Sequence, residues 1–212
     1  MQTLRKGFTL AEVLVTLAII GVIAALTIPA LIQNVNAQRY QTSLKKEISV
    51  LNQAIMASAA NNSTDPTSGT SDALLATFFA NNLNVLKNDG AGTLWLADGA
   101  KIYFKGVATT GCIAIPVTTI SAFGAVPGST YCTALIDVNG DKGPNTTSTV
   151  TTASDLYAVG ISNTSVVPLG GVTGTLAPPA GFIKDANGTA LTYTTTATPG
   201  NASFNALTGG ST

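Results

Sequence analysis

The residue with the clearest chemical potential is Glu12, the only charged side chain between Lys6 and Arg39. It stands at the start of an apolar run, and residues 13–32 contain no charged side chain at all. A carboxylate within a membrane helix costs up to a few kcal/mol on insertion scales, so it marks a functional position by default. The placement of Glu12 therefore suggests a carboxylate that needs a partner.

The uncharged run fits a membrane-spanning helix. Twenty helical residues extend about 30 Å, the thickness of the bilayer's hydrocarbon core. Arg5 and Lys6 precede the run, which predicts a cytoplasmic N-terminus and export of everything after residue 32. A secretory signal peptide is the alternative, but the run exceeds the usual apolar region of roughly 7–15 residues and no small-x-small cleavage site follows.

Cys112 and Cys132 are the only two cysteines. Two cysteines without histidine cannot complete a structural zinc site. A disulfide between them would close a loop of about 20 residues and stabilise the fold by roughly 3 kcal/mol on the chain-entropy model. Two free buried thiols are the alternative, but export to an oxidising compartment favours the disulfide.

Asp137, Asn139 and Asp141 alternate like positions 1, 3 and 5 of a calcium-binding loop. The pattern then departs from such a loop, because glycine occupies the fourth position instead of the sixth and Ser148 stands where the loop has glutamate. Calcium would need a further oxygen donor such as Asp155. The other interpretation is a strand that ends in tight turns at Asn-Gly and Gly-Pro. Calcium is the only cofactor that the sequence suggests.

The composition argues against several other functions. Of 212 residues only 9% are charged, against roughly 25% in an ordinary globular chain. Ten basic residues balance ten acidic ones, so no basic face predicts nucleic-acid binding. The chain has no histidine, the commonest general base and metal ligand. We therefore predict that the protein is not an enzyme.

One long helix, from about residue 8 to about residue 59, accounts for the N-terminal pattern. From Tyr40 onward the apolar residues follow at steps of four, four, three and four, the spacing of a single apolar stripe. The apolar residues beyond the uncharged run are Val35, Tyr40, Leu44, Ile48, Leu51 and Ile55. The polar residues that fill much of the rest are Gln38, Arg39, Lys45, Lys46, Glu47, Asn52 and Gln53. The stripe requires a partner built from the remaining chain.

The remaining chain predicts a second helix and several strands. The helix starts at Ser71 within residues 71–86, with Asp72 in its first turn. Residues 89–106 read as two strands about an Ala-Asp-Gly turn. Further strands are predicted within residues 112–117, 130–138, 156–162 and 165–170. The apolar residues of the second helix that could cover the stripe are Leu74, Leu75, Phe78, Phe79 and Leu83. A long helix on an antiparallel sheet is an α+β fold.

The segment KGFTLAEVLVTLAIIGVIAALTIP resembles the N-terminus of type IV prepilins and of the related pseudopilins of type II secretion. The family pattern is a short basic leader ending in glycine, then Phe-Thr-Leu, one residue, glutamate and about 20 apolar residues. Ala11 is smaller than the isoleucine often found before that glutamate, which changes no chemistry. Residues 134–145, ALIDVNGDKGPN, are similar to the head of one pilin subfamily.

The resemblance implies that a prepilin peptidase cuts between Gly7 and Phe8 and methylates the new amine of Phe8. Glu12 takes the place of the family's acid, which pairs with the amine of a neighbouring subunit during assembly. Alternatives are a pair within one chain or a Glu12 held at the lipid headgroups. Gly21 and Pro29 lie where family filaments commonly unwind the helix, although a simple kink tolerated in the membrane explains them equally.

The implied protein is a filament subunit with the type IV pilin fold. Its domains would be a leader (residues 1–7), a transmembrane and filament-core half-helix (8–32), an amphipathic half-helix (33–60) and a β-rich head (61–212). Its partners would be copies of itself in a helical polymer, the prepilin peptidase, an inner-membrane assembly platform and, before assembly, the membrane. Alternatives are a pseudopilin or minor pilin of a secretion or competence apparatus, and a single-pass membrane protein whose exported domain binds a ligand or acts as an enzyme.

Overall fold

The structure is a computed structural model, and it describes residues 7–61, 65–66, 70–108, 111–113, 131–140, 142, 155–168, 183–184 and 190–191. The chain divides into two compact units, Met1–Gln38 and Arg39–Thr212, which we describe separately. We call residues 10–32 the apolar half-helix and residues 39–212 the head. The predicted domain boundaries after residues 7, 32 and 60 stay predictions.

The long helix predicted for the N-terminus is present. Helix α1 runs from Leu10–Ala60 without a break, and it remains helical at both Gly21 and Pro29. Every large apolar side chain of its first 23 residues has at least 46% of its surface exposed within the chain. This surface fits the prediction of a helix that needs an apolar environment from outside the chain.

The head contains a second helix and a six-stranded antiparallel sheet whose strands follow in sequence order. Helix α2 spans Asp72–Asn82. The strands are β1 (Val85–Asn88), β2 (Thr93–Leu96), β3 (Lys101–Lys105), β4 (Cys132–Asp137), β5 (Leu156–Ile161) and β6 (Val166–Pro168). A separate two-stranded sheet pairs β7 (Ile183–Lys184) with β8 (Ala190–Leu191). This layout confirms the predicted α+β fold of a helix followed by an antiparallel sheet.

The core of the head lies between the helices and one face of the six-stranded sheet. The α1 stripe contributes Leu44, Leu51 and Ile55, all buried, with Tyr40 and Ile48 packed against them. Strand registers place the buried sheet residues in cross-strand rows, because alternate residues of a strand face the same side. One such row joins Ile102, Ile136 and Tyr157, and the next joins Phe104, Ala134 and Val159.

Helix α2 is fixed to the sheet at its first turn. Ser71 caps the helix, since its side chain accepts a hydrogen bond from the backbone N–H of Leu74 at 3.2 Å. The Asp72 carboxylate accepts three hydrogen bonds, from the Tyr103 hydroxyl at 3.0 Å, the Lys105 ammonium at 2.9 Å and the Gly106 N–H at 3.0 Å. These contacts hold the start of α2 over the end of β3.

Three predictions about the head are wrong in detail. The second helix ends at Asn82, where the side chain donates back to the Phe78 carbonyl, and the chain then becomes extended and forms β1, which the sequence analysis missed. Leu74 is 51% exposed and does not cover the stripe. Glu47, expected on the polar side of α1, is buried because it follows Leu44 by three residues and shares its face.

The hairpin at residues 89–106 and the strands within residues 130–138, 156–162 and 165–170 are confirmed. Cys112 and Ile113 are not in a strand, and the rest of the strand predicted at residues 112–117 lies outside the described residues. Arg5, Lys6, Asp141 and Ser148 also lie outside them.

Candidate functional site

The predicted processing site lies in an accessible position. Gly7 and Phe8 precede α1 in non-helical backbone, and Phe8 is 92% exposed. A Cβ placed on Gly7 would meet nothing within 4 Å, so the chain itself leaves that side of Gly7 open. Nothing in the described residues shields the bond between Gly7 and Phe8.

Glu12 forms a capping box with Thr9 at the start of α1. Its Oε2 accepts hydrogen bonds from the Thr9 N–H and from the Thr9 hydroxyl, both at 2.8 Å. The Glu12 N–H in turn donates to Thr9 Oγ1 at 3.3 Å. The Thr-x-x-Glu spacing is the sequence signal of this motif, and no cap was predicted from it. Glu12 thus has local partners in the single, uncleaved chain.

Besides capping its own helix, the Glu12 carboxylate can form an ion pair with an ammonium group. Hydrolysis after Gly7 would turn the Phe8 nitrogen into an ammonium four residues before the carboxylate. Two unit charges about 4 Å apart attract by about 4 kcal/mol at an effective dielectric of 20. A helix cap is worth about 0.5–2 kcal/mol. By these magnitudes an ammonium of a neighbouring chain can compete with Thr9 for the Glu12 carboxylate.

The apolar half-helix that follows Glu12 is long and apolar enough to cross a membrane, by length and composition alone, and its most apolar window has no residue buried within the chain. Its hydroxyl groups are satisfied locally: Thr16 donates to the Val13 carbonyl and Thr27 to the Ile23 carbonyl, both at 3.0 Å. This leaves a uniformly apolar exterior. Such a surface marks a membrane or protein contact site.

Gly21 and Pro29 do not interrupt α1 in the single chain. A Cβ placed on Gly21 would meet nothing within 4 Å, so no contact among the described residues requires glycine there. Pro29 lacks an N–H and removes one helical hydrogen bond, which membrane helices tolerate. The predicted unwinding concerns a filament and stays a prediction.

The predicted disulfide joins Cys112 to Cys132. Both residues are fully buried, and Cys132 begins β4. The Cys112 N–H also donates to the Pro66 carbonyl at 3.3 Å. The crosslink therefore ties the loop after β3 to the middle of the sheet, a structural role.

Two of the three residues of the possible calcium loop lie together at the end of β4. Asp137 is buried and accepts a hydrogen bond from the Asn139 N–H at 3.3 Å, and Asn139 also donates to the Tyr40 hydroxyl at 3.5 Å. Asp141 lies outside the described residues. Within the described residues, no three acidic, cysteine or histidine side chains are grouped in a way that could hold a metal ion. Calcium binding stays a prediction.

Comparison with known families identifies one segment. Residues 3–28 match the family model described as the prokaryotic N-terminal methylation motif. The match contains Gly7, Phe8, Thr9 and Glu12, together with Gly21 and most of the apolar half-helix. No curated protein and no solved structure shows significant similarity to the chain.

Proposed function

We propose that this chain is the structural subunit of a type IV pilus-like filament. The proposal starts from the N-terminal methylation motif, which is the hallmark of type IV pilins and pseudopilins. The observation that carries the proposal is that this motif continues into a helix whose apolar surface is left exposed by all the described residues. A polymer in which apolar half-helices pack together would bury this surface.

The precursor is inserted in the inner membrane with residues 1–7 on the cytoplasmic side and the head outside. A prepilin peptidase cuts after Gly7 and methylates the new amine of Phe8. The exposure of Gly7 and Phe8 supports this step, because a peptidase needs an accessible segment. No catalytic role is proposed for the chain itself, which is the substrate.

Assembly exchanges the partner of Glu12. In the single chain the carboxylate caps its own helix through Thr9. In the filament the ammonium of the neighbouring Phe8 takes its place, and this pairing sets the axial register of the incoming subunit. An assembly platform in the inner membrane lifts subunits from the lipid into an extracellular fibre of many copies.

Glu12→Gln tests the exchange of partner. Glutamine completes a capping box as glutamate does, but it carries no charge for an ammonium. We expect normal cleavage and normal precursor levels, with filament yield reduced at least tenfold in sheared surface fractions. Thr9→Ala is the matched control, because it removes most of the cap and keeps the charge, and we expect it to retain filaments. Abundant filaments from Glu12→Gln would contradict the pairing.

Gly7→Leu tests the processing step separately. We expect uncleaved precursor to accumulate in the membrane and no filaments to form, measured by electrophoretic mobility and shear fractionation. A cleaved Gly7→Leu chain would show that Gly7 does not define the processing site.

A pseudopilin or minor pilin of a secretion or competence apparatus is the alternative, because the same motif marks it. Abundance separates the two functions. The subunit of a major pilus dominates sheared surface filaments, whereas a pseudopilin or minor pilin is scarce there.

A further inference from the structure

Three side chains join α1 to the turn between β2 and β3, and we call them the carboxyl clasp: Lys46, Glu47 and Asp98. Glu47 is 2% exposed although it belongs to the most polar stretch of α1. Lys46 forms a hydrogen-bonded ion pair with Asp98 Oδ2, and its Nζ lies 3.8 Å from Glu47 Oε1. The Lys46 ammonium thus lies between the Glu47 and Asp98 carboxyl groups, and a hydrogen bond between the two carboxyl groups is among the causes that raise the pKa of Glu47.

A hydrogen bond between two carboxyl groups requires one proton. Both oxygens of an ionised carboxylate are acceptors only, so Glu47 must donate if Asp98 is charged. Glu47 Oε2 is buried and accepts no hydrogen bond from a donor, which an ionised carboxylate would tolerate poorly. Asp98 is the group suited to carry the charge, since it also accepts from Lys46 and from the Ala100 N–H at 3.1 Å.

We propose that Glu47 holds a proton at neutral pH and that this proton fastens the β2–β3 turn to α1, so that the head loosens at this turn in mildly alkaline solution. With the proton in place, the positive Lys46 balances the negative Asp98. Without it, one ammonium faces two carboxylates, of which Glu47 is buried and Asp98 partly buried. The proposal concerns the folded head and does not depend on polymerisation.

The pKa values follow from the same contacts. Burial, and then the hydrogen bond with Asp98, raises the pKa of Glu47 to about 8. For Asp98 burial acts upward, but the hydrogen bonds from Glu47 and Lys46 outweigh it and lower its pKa to about 2. The pair therefore carries one proton across the neutral range.

The other ionisable groups near this end of the head interact with each other. Burial, followed by the charge of Asp155, raises the pKa of Tyr40, and Asp137 adds to the rise. Burial and Asp155 act in the same direction on Tyr157. Among the described residues, the charges that act on Glu47 are those of Asp98 and Lys46.

The β2–β3 turn that the clasp holds also contacts a second turn, the one that follows β4. A Cβ placed on Gly140, which follows β4, would lie 2.6 Å from the backbone oxygen of Gly99 in the β2–β3 turn. The two turns are therefore in direct backbone contact. Movement of the β2–β3 turn away from α1 would disturb this contact as well.

The direction of the pH effect is fixed by the raised pKa of Glu47. Between the ordinary glutamate pKa and about 8, the folded chain holds one proton that the unfolded chain has lost. The contribution of Glu47 to stability is therefore fully present below pH 4.5, falls as the pH rises through this window, and changes no further well above pH 8. The chain has no histidine, so an α-amine, with a pKa of about 8, is the main other group that titrates here.

The sequence offers a direct test, because Glu12 and Glu47 are the only two glutamates. The full chain, labelled with carbon-13 at the glutamate carboxyl carbon and held in detergent micelles, should give two carboxyl signals. Glu12→Gln removes one of them and identifies the other as Glu47. We expect a Glu47 midpoint near pH 8, and a midpoint below neutral pH would overturn the proposal.

Hydrogen exchange of Gly99 and Ala100 tests the clasp itself. Between pH 7 and pH 9.5 we expect the protection factors of these amides to fall at least tenfold in the wild type. Glu47→Gln, which keeps a hydrogen-bond donor toward Asp98, should hold them constant. Lys45→Gln is the matched control, because Lys45 is exposed on the same helix and should leave the wild-type profile intact. Identical profiles for wild type and Glu47→Gln would also overturn the proposal.

Discussion

The two halves of α1 use one helix in opposite ways. In the apolar half-helix, apolar side chains occur all round, and Leu17 is 61% exposed within the chain. In the head, apolar residues form one stripe, and Leu44 and Leu51 are fully buried. The difference lies in spacing: a single stripe can be covered by one sheet, whereas a helix that is apolar all round needs neighbours on every side. The head supplies the first kind of partner, whereas the described residues supply none of the second kind, for which we propose the membrane and other copies of the chain.

The two glutamates repeat the contrast. Glu12 is exposed and accepts hydrogen bonds from Thr9, one turn away. Glu47 is buried, and the Lys46 ammonium lies between it and Asp98, 51 residues away in sequence. Glu12 thus remains available to a partner outside the chain, whereas Glu47 is committed to the fold.

The largest effect that separates the halves should come from deleting a buried leucine. Leu51→Ala leaves a cavity in the core of the head and should lower its free energy of unfolding by about 3–4 kcal/mol. Leu17→Ala, the same change in the apolar half-helix, should leave the unfolding of the head unchanged. The fluorescence of Trp95, the only tryptophan, reports denaturant unfolding of the head in detergent. Equal losses from both variants would break the comparison.

Replacing one glycine in each half should change stability by smaller amounts and in opposite directions. Gly140 has a φ of +68° and its Cβ would collide with the Gly99 backbone, so Gly140→Ala should destabilise the head by about 2–3 kcal/mol. Gly21 is helical with open space around it, so Gly21→Ala should strengthen the helix by about 0.5–1 kcal/mol. Trp95 fluorescence measures the effect of Gly140→Ala. The circular dichroism of the membrane-bound helix measures the effect of Gly21→Ala. If Gly140→Ala left the free energy of unfolding of the head unchanged, the turns that contain Gly99 and Gly140 could move apart at little cost.

Hydrogen bonds of single side chains provide the smallest contrast. Asn52 accepts from the Val166 N–H at 2.8 Å and donates to the Val166 carbonyl at 3.2 Å, which pairs α1 with the edge strand β6. Asn52→Ala should therefore cost about 1–2 kcal/mol in denaturant unfolding of the head. Thr16→Ala removes only a bond within the apolar half-helix and should cost the head nothing. The comparison loses support if Asn52→Ala proves as neutral as Thr16→Ala.

Periodicity made the long elements predictable. The stripe from Tyr40 to Ile55 fixed the burial of the head half of α1, and the Ala-Asp-Gly turn located the β2–β3 hairpin. Strand β1 was missed because four residues directly after a helix carry too little alternation to be distinguished from its continuation. The disulfide was predictable because only two cysteines exist, and the structure confirms it.

The contacts between distant residues could not be predicted in the same way. The burial of Glu47 depends on the hairpin turn that brings Asp98 to α1, and the pairing of Asn52 depends on the position of β6 at the edge of the sheet. Neither partner is recognisable from local spacing. The Thr9–Glu12 capping box is different, because its Thr-x-x-Glu spacing is local and visible in the sequence.

The most direct test of the account is the intact mass of the chain recovered from filaments sheared off the host surface. The account predicts a chain that begins at Phe8 and carries one methyl group on its amine, as the dominant protein of those filaments. A chain that begins at Met1 and remains in the membrane as a single, unassembled molecule would contradict it.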